Sequence, residues 1–407
     1  MKDTTNNFVS KPRKYITTVL GIDIFIVSII AVVSNFPEYM IEPTLALYAL
    51  SLGSSMTFIG ILSSTTYIFQ TFTSIPIGRL SDKWGRKPFF ILWSVTASSV
   101  PIMFAAAKTF WHLLPARIVW GLGFSANQVS FRSYITDNTK PERLHVAMAI
   151  YYVTMGFGVV LGPLLSGRLV TQIGFVNTYL IASLIGSFSI LFVFLGIKNK
   201  PLITKDNPNS QSNLTENLKS VIFDSAIFSV ILLTSLNMLG HKVVFDYIPA
   251  YLSSLGATTI TIGDLFVIRG LFTVAIRLPI GAAANRLGTW NMMVFALLLQ
   301  SLAIFLFPYS TRLLFQSILM AFIGLGFGIF LISSAIHMMR IAPSQSRGIT
   351  LGVMATVVGT LNAFYGPIRG YIADLFGISS AFMIMGIFIA SFTFAIIISN
   401  KLRNNNP

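Results

Sequence analysis

The sequence predicts an all-α membrane protein with twelve transmembrane helices in two similar six-helix bundles. Three observations predict this class: the apolar content, the spacing of the charges and a repeat within the chain. Hydrophobic residues make up 54% of the 407 residues, charged residues only 10%, and the mean hydropathy is +0.76. A soluble domain carries roughly 25% charged residues. We therefore expect most of this chain to lie in lipid.

The charged residues fall in short clusters between apolar stretches that are long enough to cross a bilayer. A hydrocarbon core about 30 Å thick requires about 20 apolar residues per helix. The predicted spans of the first half are 18–44, 55–79, 88–107, 111–135, 146–169 and 174–197, and those of the second half are 225–251, 260–284, 290–308, 311–338, 348–371 and 377–400. The expected domains are 1–197 and 223–407, joined by a polar linker at 198–222.

The chain repeats itself at an offset of 203 to 204 residues. The matching segments are Ile75–Gly78 with Leu278–Gly281, Gly121–Phe124 with Gly324–Phe327, Gly162–Pro163 with Gly366–Pro367, and Leu52–Gly53 with Leu255–Gly256. The two halves therefore have the same orientation and are related by a pseudo-twofold axis along the membrane normal. Such a repeat predicts a binding site between the halves, near the middle of the bilayer.

The positions of the 28 Lys and Arg residues predict the orientation of the chain. If the odd-numbered loops are external, twenty lie in cytoplasmic segments, and Lys108 and Arg312 alone lie in external loops. The other six lie within or at the ends of spans. The positive-inside rule then places both termini in the cytoplasm of a cell-membrane protein. The net charge of +15 is explained by this asymmetry, so no nucleic-acid partner is expected.

The sequence shows few of the features expected of an enzyme. It has no cysteine, and its four His residues show no metal-ligand spacing, so we expect neither a metal nor another cofactor. A glycine-rich phosphate loop of an ATP-driven pump is also absent from the sequence. An integral membrane enzyme and a sensor without transport activity are thus the weaker alternatives.

A glycine-bounded loop follows the second span. Residues Gly78 to Lys87 read G-R-L-S-D-K-W-G-R-K, with one carboxylate among four cations. This segment resembles the cytoplasmic loop signature of the major facilitator superfamily, and the resemblance implies the twelve-span fold and a gating role for the loop. The gating residues implied are Gly78, Asp82, Gly85 and Arg86, with Arg132 and Asp137 after the fourth span. Arg132 or the start of the eleventh span is the expected partner of Asp82.

The fifth span carries a second motif, G-F-G-V-V-L-G-P-L-L-S-G, at residues 156–167. Glycines at four-residue spacing let helices approach closely, and the proline permits a bend. The segment resembles the signature of antiporters within the superfamily, although Ser166 stands where a second glycine is usual. The residues that carry the resemblance are Gly158, Gly162, Pro163 and Gly167.

Ionisable residues inside the first and fourth spans predict a proton-coupling site. Arg117 must face a cavity or an acidic partner, unless it extends to the outer interface. Glu38 and Glu42 stand one helical turn apart, so their charges repel and one of them should hold a proton. The alternative for Glu42 is contact with the outer water. We expect Glu38, Glu42, Arg117 and Asp246 to couple protons.

The second half supplies the other wall of the predicted cavity. His241 occupies the position equivalent to Glu38, and Lys242 and Asp246, one turn apart, could pair with each other. Asp264 could likewise neutralise Arg269. The expected cavity residues are Glu38, Asn35, Asn127, Asn237, His241, Lys242, Arg269 and Arg369.

These features predict a secondary active transporter that exports a small amphipathic molecule in exchange for protons. The surplus of cations favours an anionic or zwitterionic substrate. The alternative is a proton symporter or a facilitator that takes up an organic anion or a sugar. The resemblance also implies that the protein acts as a monomer in the lipid bilayer.

Overall fold

The computed structural model describes residues 22–140, 143–197, 224–309, 311–342 and 347–404. The predicted linker at 198–222 lies outside the described residues. Within these ranges the chain forms α-helices and two short 3-10 turns, and no strand. The helices are α1 (Ile22–Ser51), α2 (Met56–Trp84), α3 (Lys87–Ala105), α4 (Leu113–Asn138), α5 (Leu144–Gly196), α6 (Ser225–Ser254), α7 (Thr259–Ala275), α8 (Arg277–Leu287), α9 (Thr289–Leu306), α10 (Leu313–Ile341), α11 (Arg347–Phe376) and α12 (Ile378–Asn404).

Eight of the described helices are long and apolar enough to cross a membrane: α1, α3, α5, α6, α9, α10, α11 and α12. Helix α5 has 53 residues and bends at Gly174, where φ is 78°, so its two arms make two crossings. Helices α2 and α4 are more polar, α7 is shorter at 17 residues, and all three pack among the others. Together they form the all-α, twelve-span membrane fold that the sequence predicts.

The two halves repeat in structure as they do in sequence. Helices α1 and α6 begin and end 203 residues apart, and α2 is matched in the same way by α7 and α8 together. The six glycines with positive φ in the described ranges form three pairs at this offset: Gly53 with Gly256, Gly85 with Gly288, and Gly174 with Gly377. Only glycine adopts such φ values without steric cost. The repeat therefore extends to the turns as well as to the helices.

Two predicted spans differ from the structure. The eighth, predicted as one helix over 260–284, is divided between α7 and α8 at Ile276. Pro279 accounts for the break, because its ring crowds the carbonyl four residues earlier and it has no backbone N–H to donate. The first span continues to Ser51 rather than ending near residue 44, since the apolar run after Pro43 stays helical.

The halves meet at one end of the bundle, which we call the α1–α2 end because α1 meets α2 there. In this region α2 packs against α11, and the first arm of α5 packs against α7. A Cβ atom added to Gly263 would lie 2.6 Å from the carbonyl oxygen of Pro163. Towards the opposite, α2–α3 end, Cβ atoms at Gly78 and Gly352 would meet nothing within 4 Å. The halves are thus closed together at the α1–α2 end, whereas Gly78 of α2 and Gly352 of α11 have no close neighbour towards the α2–α3 end.

Candidate functional site

A buried carboxylate on α1 joins the two halves. Glu42 Oε1 lies 2.9 Å from Arg117 Nη1 of α4, and Glu42 Oε2 lies 3.3 Å from Lys242 Nζ of α6. Glu42 and Lys242 are each 12% exposed, and Arg117 is 3% exposed. Leaving a buried charge of this kind without its partner costs about 3–5 kcal/mol. Glu42 is therefore the acidic partner of Arg117, and it does not reach water at the α1–α2 end as a free side chain.

A second buried ion pair lies beside the first. Arg369 Nη2 of α11 donates to Asp246 of α6, and Ser63 Oγ of α2 donates to both carboxylate oxygens of Asp246 at 3.2 and 3.0 Å. A cavity of about 10 Å³, roughly the space of one water molecule, separates Asp246 from Glu42 and Arg117. The predicted pair of Lys242 with Asp246 is wrong, because each finds its partner on another helix.

Glu38 differs from Glu42 although it lies only one turn away. It is half-buried and forms no ion pair or side-chain hydrogen bond with any other residue that the structure describes. Both cations near it are engaged by Glu42. Of the two acids on this face of α1, Glu38 is thus the one whose charge is not already balanced by direct contact.

The fifth-span motif packs against α1 and α7. Cβ atoms at Gly158 and Gly162 would lie 2.5 Å from the ring and from the Cβ of Tyr39, respectively. Pro163 and Gly167 meet α7 at Gly263 and Thr259. The motif therefore holds Tyr39, the neighbour of Glu38, as well as the contact between the halves.

The predicted gating loop is shorter than expected and has different partners. Helix α2 continues to Trp84, and the turn consists of Gly85, with φ 88°, and Arg86. Arg86 Nη1 pairs with Asp82 at 2.7 Å, and Arg86 Nε pairs with Asp137 at 3.0 Å. The contact found for Asp82 is thus to Arg86 rather than to the exposed Arg132. The side chains at the start of α11 lie outside the described residues.

Gly78, the first glycine of the loop signature, occupies a position where this conformation does not require glycine. It lies inside α2 with open space around it, so neither a positive φ nor a close helix contact needs glycine there.

Several predicted cavity residues are buried within one half. Asn127 donates to Asn35 at 2.7 Å in the first half, and Asn237 donates to Gln300 at 2.9 Å in the second. These three asparagines are at most 4% exposed, and Arg369 is 2% exposed. In this conformation they do not line a cavity. The predicted neutralisation of Arg269 by Asp264 is also wrong, since Asp264 pairs with Arg168 at 2.8 Å.

Arg269 lies in an aromatic cage of the second half. Its guanidinium carbon is 5.0 Å from the ring centre of Phe245 and 5.3 Å from that of Phe327. Arg269 Nη2 lies 2.8 Å from His241 Nδ1. Helices α6, α7 and α10 thus build the cage, which includes His241 at the position equivalent to Glu38.

Asp374, near the end of α11, closes the α1–α2 end with a contact that the sequence did not reveal. Its carboxylate accepts the backbone N–H groups of Met56 at 2.9 Å and of Thr57 at 2.8 Å, and the hydroxyl of Thr57 at 2.5 Å. Acidic groups stabilise the N-terminus of a helix, here that of α2. We call this contact the Asp374 clamp.

Comparison with known proteins identifies the family. The model of the Major Facilitator Superfamily matches residues 27–367 and, in a second match, residues 230–404. The chain belongs to the major facilitator superfamily. It is accordingly a multi-pass membrane transporter for small molecules and not an enzyme.

Individual members of the superfamily resemble the chain over most of its length. An uncharacterised MFS-type transporter of Methanocaldococcus jannaschii is 23% identical over 90% of this chain and 95% of its own length. A homologue of the multidrug resistance efflux pump PmrA from Lactococcus lactis is 23% identical over 81% of this chain and 83% of its own length. A crystal structure of a POT family transporter in complex with 5-aminolevulinic acid gives a TM-score of 0.76 at 14% identity and covers 92% of this chain and 95% of that one.

Two residues that this superfamily member uses between its halves, Ser63 and Asp374, were not predicted from the sequence, and neither was Tyr39, which packs against the fifth-span motif within the first half. A signal existed for Ser63, which begins a run of four hydroxyl residues at 63–66 inside an apolar span. Polar side chains there require partners because lipid offers none. The other two depend on which helices face each other, and the sequence carries no direct sign of that.

Proposed function

We propose that this chain is a proton-coupled exporter, an antiporter that expels a small amphipathic molecule as protons enter. The observation that carries the proposal is Glu38, which forms no ion pair within the described chain while Glu42, one turn away, holds Arg117 and Lys242. Export is supported by the fifth-span motif and by the relative named as a multidrug resistance efflux pump.

We infer the sides of the membrane from the charge distribution. We take the α2–α3 end as cytoplasmic, with both termini on that side of the cell membrane, because it carries the basic clusters. The structure then corresponds to an inward-facing state, closed outside and open inside. The units that move are the halves 1–197 and 223–407 with the linker 198–222 between them, in a protein that acts as a monomer.

Several polar contacts between the halves must break when the outside opens. They include Glu42 with Lys242, Ser63 with Asp246, Asp374 with the start of α2, Arg168 with Asp264, and Thr259 with Thr171 and the carbonyl of Gly167. Two of them involve carboxylates in the buried network around Glu42 and Asp246. Protonation of such a carboxylate removes the charge that binds its cation, so protons and the contact between the halves are linked.

The order of the two acids along α1 suggests a direction for the proton. Glu42 lies nearer the outer end, and Glu38 lies one turn closer to the cytoplasm. A proton that arrives from outside on Glu42 releases Lys242 and lets the outer end open. Transfer to Glu38 restores the charge of Glu42, its pair with Lys242 and the closed outer end. Glu38 then loses its proton to the cytoplasmic side, which completes one cycle.

Transport by purified protein in liposomes tests the proposal. We expect proteoliposomes with inside-out protein, an acidic interior and a neutral exterior to accumulate substrate in a screen of amphipathic compounds. Dissipating the proton gradient should abolish accumulation. Asp224→Asn is the matched control, because Asp224 lies at the start of α6 outside the spans and Asn also caps helices well. Accumulation only under the reversed gradient would instead establish uptake by symport.

A further inference from the structure

The cage around Arg269 contains a positive charge without a carboxylate partner. Arg269 is 3% exposed, and its Nε has no hydrogen-bond partner among the described residues. The described acids nearest in sequence to the cage residues are engaged elsewhere: Asp246 pairs with Arg369, and Asp264 pairs with Arg168. No described carboxylate forms an ion pair with Arg269.

The hydrogen bond within the cage fixes the state of His241. A guanidinium can only donate, so His241 Nδ1 accepts the hydrogen bond from Arg269 Nη2 at 2.8 Å. The imidazole proton must then be on Nε2, and the ring is neutral. His241 consequently orients Arg269 without cancelling its charge, and the pair presents N–H donors of both side chains.

Aromatic rings complete the cage. The ring of His241 stacks on Phe327 with 4.4 Å between ring centres, and Phe245 lies 4.9 Å from His241 and 4.9 Å from Phe266. Ring faces attract a cation but do not neutralise it. Arg277, two turns further along the same span, adds a second positive charge and also has an Nε without a partner in the described chain. The site is therefore electropositive and lined by aromatic surface.

We propose that Arg269 and His241 form the binding site for a carboxylate group on the transported molecule, with Phe245 and Phe327 packing against its aromatic or apolar part. The proposal rests on the proposed function and names the substrate class: aromatic monocarboxylates. A carboxylate supplies the missing counter-charge and matches the planar donor geometry of a guanidinium. His241, Phe245 and Phe327 are half-buried, so the edge of the cage is partly exposed although Arg269 itself is buried.

Binding to the purified full-length protein tests this site without any gradient. The probes are benzoate, 2-naphthoate and indole-3-acetate, each compared with its uncharged amide. Ligands that bind the folded state raise the temperature of unfolding in proportion to the logarithm of their concentration. We expect at least one carboxylate to bind wild-type protein at least tenfold more tightly than its amide.

Variants test whether the preference for the carboxylate over its amide depends on Arg269. Arg269→Gln should abolish the preference for the carboxylate over the amide, and Arg286→Gln, an exposed arginine on α8 of the same half, should leave it unchanged. Arg269→Lys keeps the charge but not the planar pair of donors, so it should keep the preference with several-fold weaker affinity. If Arg269→Gln does not fold, the affinity of Arg269→Lys still tests the site.

Three results would overturn the carboxylate site: no preference in wild-type protein, a preference that survives Arg269→Gln, or wild-type affinity in Arg269→Lys. None of them bears on the direction of transport. Conversely, loss of gradient-driven transport with the carboxylate preference intact would contradict the proposed export and leave the site standing.

Discussion

Glu42 and Lys242 connect the two halves of the transporter at a buried position: Glu42 Oε2 on α1 lies 3.3 Å from Lys242 Nζ on α6. The same carboxylate holds Arg117 of the first half. One acidic side chain thus contacts two buried cations, one from each half. Any event that removes its charge weakens the link between the halves as well as the link to α4.

Neutralising the two acids of α1 should affect stability very differently. Glu42→Gln leaves Arg117 and Lys242 without a carboxylate, so we expect the free energy of unfolding to fall by about 3–5 kcal/mol. Glu38→Gln removes no ion pair and should change it by less than about 1 kcal/mol. Denaturant unfolding of the purified variants measures both. Equal losses would show that the contacts of Glu42 do not carry the stability assigned to them.

Removing the Asp374 clamp should shift the molecule towards the state that is open at the α1–α2 end. Asp374→Ala loses the acceptor for the start of α2, which is worth about 1 kcal/mol at a helix N-terminus. The sequence has no cysteine, so a single Ser64→Cys at the contact with Gly366 reports on opening through its rate of thiol labelling. We expect labelling to rise several-fold in Asp374→Ala. An unchanged rate would mean that the clamp does not hold this end closed.

The two glycines of the loop signature should differ in their tolerance of alanine. Gly85 has φ 88° and ψ 173°, where a side chain costs about 1–3 kcal/mol, so Gly85→Ala should lower the unfolding temperature. Gly78 is helical with free space around it, so Gly78→Ala should be neutral or slightly stabilising. Thermal unfolding of both variants measures this difference in tolerance. A large loss for Gly78→Ala would point to a contact made only in another conformation.

The glycines of the fifth span should respond differently to changes at Tyr39. A methyl group at Gly158 meets the Tyr39 ring, whereas one at Gly162 meets its Cβ and backbone. Tyr39→Ala should therefore restore transport to Gly158→Ala but not to Gly162→Ala. A double-mutant cycle on transport rate measures the coupling. Equal rescue of both variants would contradict this packing.

The sequence was sufficient to predict the fold because a segment that crosses lipid must be helical, apolar and of a set length. Apolar length marks the spans, and the offset of 203 residues reappears in the helix bounds and in the turn glycines Gly53 and Gly256. The break of the eighth span near Pro279 was less predictable, because the matching Pro76 lies within an unbroken α2.

The pairing of the buried charges could be predicted only in part. The need of Arg117 for a partner follows from the cost of a charge in lipid, but the choice of Glu42 depends on how α1 packs against α4. Lys242 and Asp246 share a helix face and still do not pair with each other, because cations and acids on neighbouring helices offer closer contacts. Spacing along one helix therefore identifies candidate residues but not their partners.

In the proposed cycle, Glu38 carries the proton that drives transport. A pH-sensitive dye sealed inside proteoliposomes measures proton movement across the membrane. Addition of a substrate should start this movement through wild-type protein and through the control Asp224→Asn. We expect Glu38→Gln to stop this movement while exchange of labelled for unlabelled substrate, which needs no net proton transfer, continues. Proton movement of wild-type size in Glu38→Gln would show that Glu38 does not carry the driving proton.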